Sequence, residues 1–199
     1  MKKVIRFLAC FGLDAIALVY VRIALVGEYL QKKRISYLNK RLLSRVRAKG
    51  KGVRLNGTII CTSPENLELG NNVHINGNAY LRAEGGLYIG DNAHFSRNLT
   101  IYTINHDYSG EALPYDCRYV KKSVRIDKNV WIGMNVCIIP GVQIHEGAIV
   151  GMGAVVTKDV PRCAIVGGNP ARVLKFRDIE HYERLDREGK YGGVNGALL

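Results

Sequence analysis

One histidine in an irregular part of the chain has the side chain best suited to proton transfer. His106 lies in the segment Thr103-Ile104-Asn105-His106-Asp107-Tyr108, ahead of a stretch that contains glycine, proline and three tyrosines. A free imidazole titrates at about pH 6.5, so it can accept a proton near neutral pH, and His106 is a candidate general base. The alternative interpretation is a loop histidine that hydrogen-bonds to nearby backbone.

The segments on both sides of this irregular stretch repeat every six residues. Downstream, the period is kept by Ile126, Ile132, Ile138, Ile144, Val150 and Val156, and at a constant offset by Val130, Val136, Val142, Ala148, Ala154 and Val160. Upstream, it is kept by Leu69, Ile75, Leu81 and Leu87, and after a two-residue slip by Ile89, Phe95 and Ile101. Short strands separated by corners reproduce such a period, whereas a helix or a simple hairpin does not. We therefore predict a parallel β-helix interrupted by an excursion loop at residues 106–123.

Two hexads carry a more specific pattern. Ile132-Gly133-Met134-Asn135-Val136-Cys137 and Val150-Gly151-Met152-Gly153-Ala154-Val155 both read aliphatic, glycine, two variable residues and a small residue. This pattern resembles the hexapeptide-repeat acyltransferases, in particular the galactoside, maltose and polysaccharide O-acetyltransferases. The resemblance implies a left-handed β-helix. The period alone predicts only a solenoid, since parallel crossovers are normally right-handed.

The resemblance also implies a reaction, namely transfer of an acetyl group from acetyl-CoA to a sugar hydroxyl with His106 as the base. Asn76 matches the asparagine that holds the acceptor hydroxyl in relatives, although it also suits a tight corner. Asn105 and Tyr108 are expected to contact the acceptor, and Trp131 to contact it or to pack in an interface. On an 18-residue coil Asn76 and His106 need not share one groove, so they are able to meet across a subunit boundary in a homotrimer.

The resemblance further assigns a set of residues to coenzyme A. These are Gly133, Met134, Gly151, Met152, Gly153, Thr157, Lys158, Arg172 and Lys175. The glycines would permit close approach of the backbone. Arg172 and Lys175 match basic positions near the nucleotide phosphates, with a solvated helix end as the alternative.

No metal is expected. Zinc-dependent carbonic anhydrases share the solenoid but need three histidines, including a pair five residues apart, and the residue five after His106 is Glu111. The five cysteines lack CxxC spacing, which indicates a reduced cytoplasmic protein without a disulfide framework. No cysteine neighbours His106 in its motif, so an acyl-enzyme is not expected either.

The net charge of +12 is confined to the N-terminal part of the chain. Residues 1–54 hold fourteen lysines and arginines against Asp14 and Glu28, whereas the remaining chain holds fifteen residues of each sign. The solenoid therefore needs no basic face. No nucleic-acid-binding motif is present, so nucleic acid is not expected as a partner.

The N-terminal segment combines apolar and basic character. Residues 4–30 are mostly apolar, but their longest uncharged run is seven residues, well short of the roughly twenty that span a bilayer. Ten basic residues and no acidic one then lie between Gln31 and Arg54. This combination predicts a peripheral anchor on the inner face of the cytoplasmic membrane. The alternative is a helical cap that packs on the solenoid or on a neighbouring subunit.

These observations predict three parts: a helical segment (1–52), a β-helix domain (53–172) and a C-terminal amphipathic helix with a short tail (173–199). The favoured function is O-acetylation of a sugar in cell-envelope or exopolysaccharide assembly. One alternative is N-acetylation of an amino sugar or an aminoglycoside-like drug. Another is a non-catalytic scaffold for a membrane complex, against which His106, Asn76 and the Asn169-Pro170-Ala171-Arg172 closure argue.

Overall fold

A computed structural model describes the backbone of residues 2–199 and the side chains of residues 17–199. The chain forms two compact units, of which the first ends at Leu38 and the second comprises Asn39–Leu199.

The first unit lies within helix α1 (Lys2–Leu43), a segment without proline. Leu18, Val19, Tyr20 and Val21 follow one another, and each side chain is more than half exposed. Successive helical residues are rotated by about 100°, so these four side chains surround the helix instead of forming one stripe. Within the described residues, no helix combines the length and the apolar character needed to cross a membrane.

The second unit is a parallel β-solenoid of about six turns whose strands form three sheets. Sheet A contains β1 (Ala48–Lys49), β4 (Leu67–Leu69), β7 (Leu87–Ile89), β12 (Val124–Ile126) and β15 (Gln143–Ile144). Sheet B contains β2 (Arg54–Leu55), β5 (His74–Ile75), β8 (His94–Phe95), β13 (Trp131–Ile132), β16 (Ile149–Val150), β18 (Ala164–Gly167) and β19 (Arg172–Phe176). Sheet C contains β3 (Ile59–Thr62), β6 (Ala79–Arg82), β9 (Thr100–Tyr102), β14 (Cys137–Ile138) and β17 (Val155–Val156).

The coils before the excursion are longer than the 18 residues assumed from the sequence. Tyr80 in sheet C pairs with Thr100, a spacing of 20 residues, whereas Cys137 pairs with Val155, a spacing of 18. The extra residues lie at the corner from sheet C to sheet A, where Ala83–Gly86 form a turn closed by the Gly86 N–H donating to the Ala83 carbonyl (2.9 Å). The two-residue slip read from the sequence is therefore a longer corner.

Strand pairing also begins earlier than residue 53. Ala48 pairs with Glu68, and the Arg47 and Gly50 N–H groups donate to the carbonyls of Leu67 and Leu69 (3.0 and 2.8 Å). The solenoid starts there because these backbone groups find partners on the next coil.

The two sets of apolar residues that keep the period of six line the interior, as predicted. Phe95, Ile101, Ile132 and Ile144 are at most 1% exposed, and the small residues Ala148 and Ala154 are fully buried beside them. Complete burial of each large aliphatic side chain stabilises the fold by roughly 1.5–3 kcal/mol, so these interior residues supply most of the driving force for folding.

Two ladders of asparagine run along the corners. Asn72, Asn92 and Asn129 lie between sheets A and B with φ of 51°, 56° and 60°. Each amide donates from Nδ2 to Oδ1 of the next asparagine, at 3.0 Å in both steps. A second ladder, Asn78, Asn98 and Asn135, lies between sheets B and C with the same geometry. Asparagine tolerates the left-handed conformation and can bond to a copy of itself.

The C-terminal segment differs from the predicted helix starting at residue 173. Residues Arg172–Phe176 form β19, which pairs antiparallel with β18 because the edge of sheet B offers free backbone partners. Helix α2 (Ile179–Arg187) begins only after Asp178, whose side chain accepts from the His181 N–H at 2.9 Å.

Helix α2 and the tail are joined by hydrogen bonds to the first asparagine ladder, at Asn129. Asp186 accepts from Lys128 Nζ (2.8 Å), Asn129 Nδ2 (2.9 Å) and the Tyr191 hydroxyl (3.0 Å). The hydrogen bond from Lys128 is the main reason that the pKa of Asp186 is lowered. The following 3-10 turn (Val194–Gly196) is thereby held close to sheet B.

Asn92→Ala is expected to lower the free energy of unfolding by about 2–4 kcal/mol, since it places alanine in the left-handed region and removes two amide hydrogen bonds. The control Asn92→Gly loses the same hydrogen bonds but no left-handed strain, so it should be less destabilised by about 1 kcal/mol. Urea unfolding followed by circular dichroism measures both. Equal losses of unfolding free energy in the two variants would show that the left-handed backbone at Asn92 does not contribute to the effect.

Candidate functional site

The hairpin that carries His106 leaves the solenoid at the corner from sheet C to sheet A. Its strands are β10 (Ile104–His106) and β11 (Tyr119–Lys121), and His106 pairs with Tyr119 across it. Thr103 at the root is fully buried. Its hydroxyl donates to the Arg82 carbonyl (2.6 Å) and accepts from the Gly85 N–H (2.7 Å), so the hairpin is anchored to the preceding coil.

The His106 ring is clamped by two tyrosines. It stacks on Tyr115 with ring centroids 3.7 Å apart and lies 4.6 Å from the Tyr119 ring. Its Nδ1 atom is buried and has no hydrogen-bond partner among the described residues. Nε2 is thus the ring nitrogen that is not both buried and unpaired. In the described part of the chain, the His106 ring makes no hydrogen bond to backbone, which the alternative of a structural loop histidine would require.

The tip of the hairpin is ordered by two carboxylates. Asp107 accepts from the Ser109 N–H and hydroxyl (2.9 and 2.6 Å). Asp116 accepts from the N–H groups of Glu111 and Arg118 and pairs with the Arg118 guanidinium at 2.9 Å. These hydrogen bonds lower the pKa of both carboxyls. Asp116 neighbours Tyr115 in the chain, so this bonding fixes the tyrosine that covers His106.

Asn105 and Tyr108 are accessible beside the histidine. The Asn105 side chain is exposed and its Oδ1 accepts from the His106 N–H at 3.0 Å. The Tyr108 side chain is 86% exposed.

Asn76 and Trp131 lie on a different part of the solenoid. Asn76 follows β5 at the corner from sheet B to sheet C, where its Nδ2 donates to the Phe95 carbonyl (2.9 Å) and its Oδ1 accepts from Asn56 (3.2 Å). Trp131 projects from sheet B and is 55% exposed. Both line a cavity of about 610 Å³ that His106 does not line. The structure thus brings Asn76 and Trp131 together but places His106 at another corner of the same chain.

The residues assigned to coenzyme A fall into three places. Gly133, Met134, Gly151, Met152 and Gly153 lie together at the corner from sheet B to sheet C. There the Gly153 N–H donates to the Met134 carbonyl (2.8 Å), and a Cβ on Gly133 would lie 2.6 Å from the Met152 nitrogen. Only glycine permits such an approach.

The other four residues of that set lie elsewhere. Thr157 and Lys158 follow β17, at the same type of corner from which the His106 hairpin leaves. Arg172 and Lys175 lie on β19 at the edge of sheet B, and both side chains are exposed. In the described part of the chain, no three histidine, cysteine or acidic side chains converge as a metal site would require.

Sequence reasoning missed four residues of these two regions. Tyr115 and Tyr119 reach His106 only through the hairpin, whose pairing leaves no periodic pattern. His74 and His94 stack with ring centroids 4.2 Å apart in the cavity beside Asn76. Their spacing of one long coil would have revealed the pair, had the coil length of 20 residues been known.

The chain resembles known proteins in sequence and in fold. The family model "Bacterial transferase hexapeptide (six repeats)" matches residues 123–158. Galactoside O-acetyltransferase of Lactococcus lactis is 35% identical over 95 residues, which are 45% of this chain and 45% of that protein. The chain thus aligns with less than half the length of this curated relative.

Solved structures cover more of the chain. A maltose O-acetyltransferase from Clostridium difficile 630 is 32% identical, with 70% of this chain and 74% of that chain covered and a TM-score of 0.63. A galactoside acetyltransferase in complex with coenzyme A is 26% identical, with 77% and 72% covered and a TM-score of 0.65. The solenoid is therefore of the left-handed β-helix class found in these acetyltransferases. The chain belongs to the hexapeptide-repeat acetyltransferase family.

Tyr115→Ala is expected to raise the rate at which diethyl pyrocarbonate modifies His106 several-fold, since one face of the imidazole is uncovered. Tyr108→Ala is the control, because Tyr108 is exposed and is not stacked on that ring. Peptide mass spectrometry distinguishes His106 from the other four histidines. An unchanged rate in Tyr115→Ala would contradict the clamped ring.

Proposed function

We propose that this protein transfers an acetyl group from acetyl-CoA to a sugar hydroxyl. The observation that carries the proposal is His106, a histidine clamped between two tyrosines with only Nε2 available, on a solenoid whose relatives include galactoside and maltose O-acetyltransferases. The coenzyme A complex of a structural neighbour supports the choice of donor.

His106 would act as general base in a direct transfer. Nε2 removes the proton of the acceptor hydroxyl while that oxygen forms a bond to the thioester carbonyl carbon. The C–S bond then breaks, and the imidazolium returns its proton to the departing coenzyme A thiolate. Backbone N–H groups would stabilise the oxyanion, and Asn76 would orient the acceptor hydroxyl. Asn105, Tyr108 and Trp131 are proposed as further acceptor contacts.

The donor would be held mainly by backbone at the corner from sheet B to sheet C. Met134, Met152 and Gly153 are exposed there, whereas Gly133 and Gly151 allow the neighbouring coils to approach closely. Thr157 and Lys158 would contact the pantetheine chain, and Arg172 and Lys175 the nucleotide phosphates. These two basic side chains are exposed, as phosphate contacts require.

We further propose a homotrimer in which His106 of one subunit faces Asn76 of the next. The support is geometric, because the two residues lie at different corners of one solenoid. The groove for acetyl-CoA would then run between neighbouring subunits.

His106→Ala and Asn76→Ala are each expected to lower kcat by at least about 10²-fold, because each removes a group that acts on the acceptor hydroxyl. Co-expression of both variants with different tags should restore about a quarter of the wild-type rate. In a random mixture about three-quarters of the trimers contain both variants, and one in three sites of each mixed cyclic trimer keeps both residues. Acetyl transfer to a galactoside, followed by coenzyme A release, measures this.

Two controls accompany this experiment. Coenzyme A binding by calorimetry should be unchanged in His106→Ala, which separates catalysis from folding. Lability of the product to hydroxylamine distinguishes an ester from the amide expected of an N-acetyltransferase. A mixture no more active than the single variants would place the whole site within one chain.

The N-terminal segment is proposed to bring the enzyme to the cytoplasmic face of an anionic membrane, where envelope or exopolysaccharide precursors are assembled. Residues 18–21 expose apolar side chains all round the helix, and a helix of that kind is normally covered. Lys32, Lys33 and Arg34, further along the same helix, are exposed. Basic side chains near an anionic surface contribute about 1 kcal/mol each.

Replacing Lys32 and Lys33 by glutamine is expected to weaken binding to anionic liposomes about 30-fold, which corresponds to two lost basic contacts. Replacing Lys121 and Lys122, which are also exposed, removes the same charge from the solenoid and should have little effect. Wild-type binding should fall between 0.1 and 1 M salt, as the Debye length shrinks from about 10 to 3 Å. Co-sedimentation measures all three. Equal binding by both variants would favour a helix that packs on protein.

A further inference from the structure

Four side chains form a row across the outer face of sheet B. Arg54 pairs with His74, His74 with His94 and His94 with Trp131, on β2, β5, β8 and β13. Neighbouring parallel strands lie about 4.8 Å apart, so this Arg-His-Trp row is about 14 Å long. A monosaccharide with one substituent spans much of that length.

Each of the two histidines at the centre of the row has one ring nitrogen without a partner among the described residues. Their rings are stacked at 4.2 Å with planes 9° apart, and His74 is only 7% exposed. Within the described residues, Nε2 of each ring is buried and has no hydrogen-bond partner. Buried polar atoms are nearly always paired in folded proteins. Two unpaired ring nitrogens side by side therefore indicate a ligand that supplies the missing polar groups.

The charge of the surrounding cavity indicates the sign of that ligand. Its fifteen lining residues include Arg54, His74 and His94 but no carboxylate. The acidic side chain in the adjoining cavity, Asp186, is already paired with Lys128 at 2.8 Å. Burial lowers the pKa of both histidines, and the nearby Arg54 guanidinium adds to the shift at His74. Among the described lining residues, Arg54 therefore carries the positive charge of the cavity, which favours a negatively charged ligand.

Resting on the proposed acetyl transfer, we infer that the acceptor is an acidic sugar, whose carboxylate or phosphate faces the Arg-His end of the row. Arg54 would bind the anion, since a guanidinium offers paired donors to carboxylate or phosphate oxygens. Trp131 at the other end offers a flat apolar face to the sugar ring. Asn76, two residues from His74, then lies beside the ring hydroxyls that accept the acetyl group.

The test compares three acceptors with one ring: methyl glucoside, its 6-carboxylate and its 6-phosphate. The full-length enzyme should show kcat/KM for at least one anionic sugar about tenfold above that for the neutral one, as expected of one charged hydrogen bond. Arg54→Gln should abolish most of this preference by raising KM for the anionic sugars. Arg47→Gln removes an equal charge from the outer face of sheet A, where Arg47 pairs with Glu68, and should keep the preference. The carboxylate and phosphate arms distinguish the two kinds of anion.

A second measurement needs no turnover. Trp131 is the only tryptophan of the chain, so intrinsic fluorescence reports on the row directly. Titration with the preferred anionic sugar without acetyl-CoA should change this emission, with a Kd about tenfold weaker in Arg54→Gln. Equal kcat/KM for neutral and anionic sugars, or no emission change with either anion, overturns the acidic acceptor while leaving acetyl transfer intact. An emission change that depends on Arg54, without acetyl transfer to any sugar, supports the anion site and refutes the proposed function.

Discussion

The whole solenoid depends on one coil stacking directly on the next through backbone hydrogen bonds. The N–H groups of Arg54, His94 and Gly133 donate to carbonyls of the next coil at 2.8–2.9 Å, and the same pattern recurs on every face. Residues at equivalent places in successive coils are therefore neighbours about 4.8 Å apart. Each column must consist of side chains that tolerate a similar neighbour. Aliphatic columns fill the interior, amide columns bond along the corners, and glycine is required where coils approach most closely.

The residues suited to chemistry are those that break this rule. His106 belongs to no column, because the chain leaves the stack at Thr103 and returns at Lys122. On sheet B, by contrast, the column itself is unusual, since two imidazoles and a guanidinium follow one another where the later coils carry Ile149 and Ile165. The fold does not require imidazole and guanidinium groups in this column of sheet B. A bound ligand explains their presence better than a contribution to stability does.

Sequence periodicity was sufficient to predict the fold but only part of the site. Ile132, Val150 and their equivalents repeat because the interior demands it, so the coils could be counted from the sequence. The position of His106 at an interruption was also predictable. The two-residue slip ahead of Ile89 was visible in the sequence as well, whereas the antiparallel return of β19 and the stacking of Tyr115 on His106 were not. Both features depend on contacts outside the stacked coils, which the period of six does not encode.

The arrangement of corners is the reason that we propose a site shared between two copies of the chain. Asn76 lies ahead of sheet C and the His106 hairpin lies beyond it, and a four-residue strand such as β6 is about 13 Å long. A general base must come within about 3 Å of the proton that it removes, and the strand between these two corners is several times longer than that. In the proposed trimer, His106 of one copy and Asn76 of another would supply the two groups without any change in the fold.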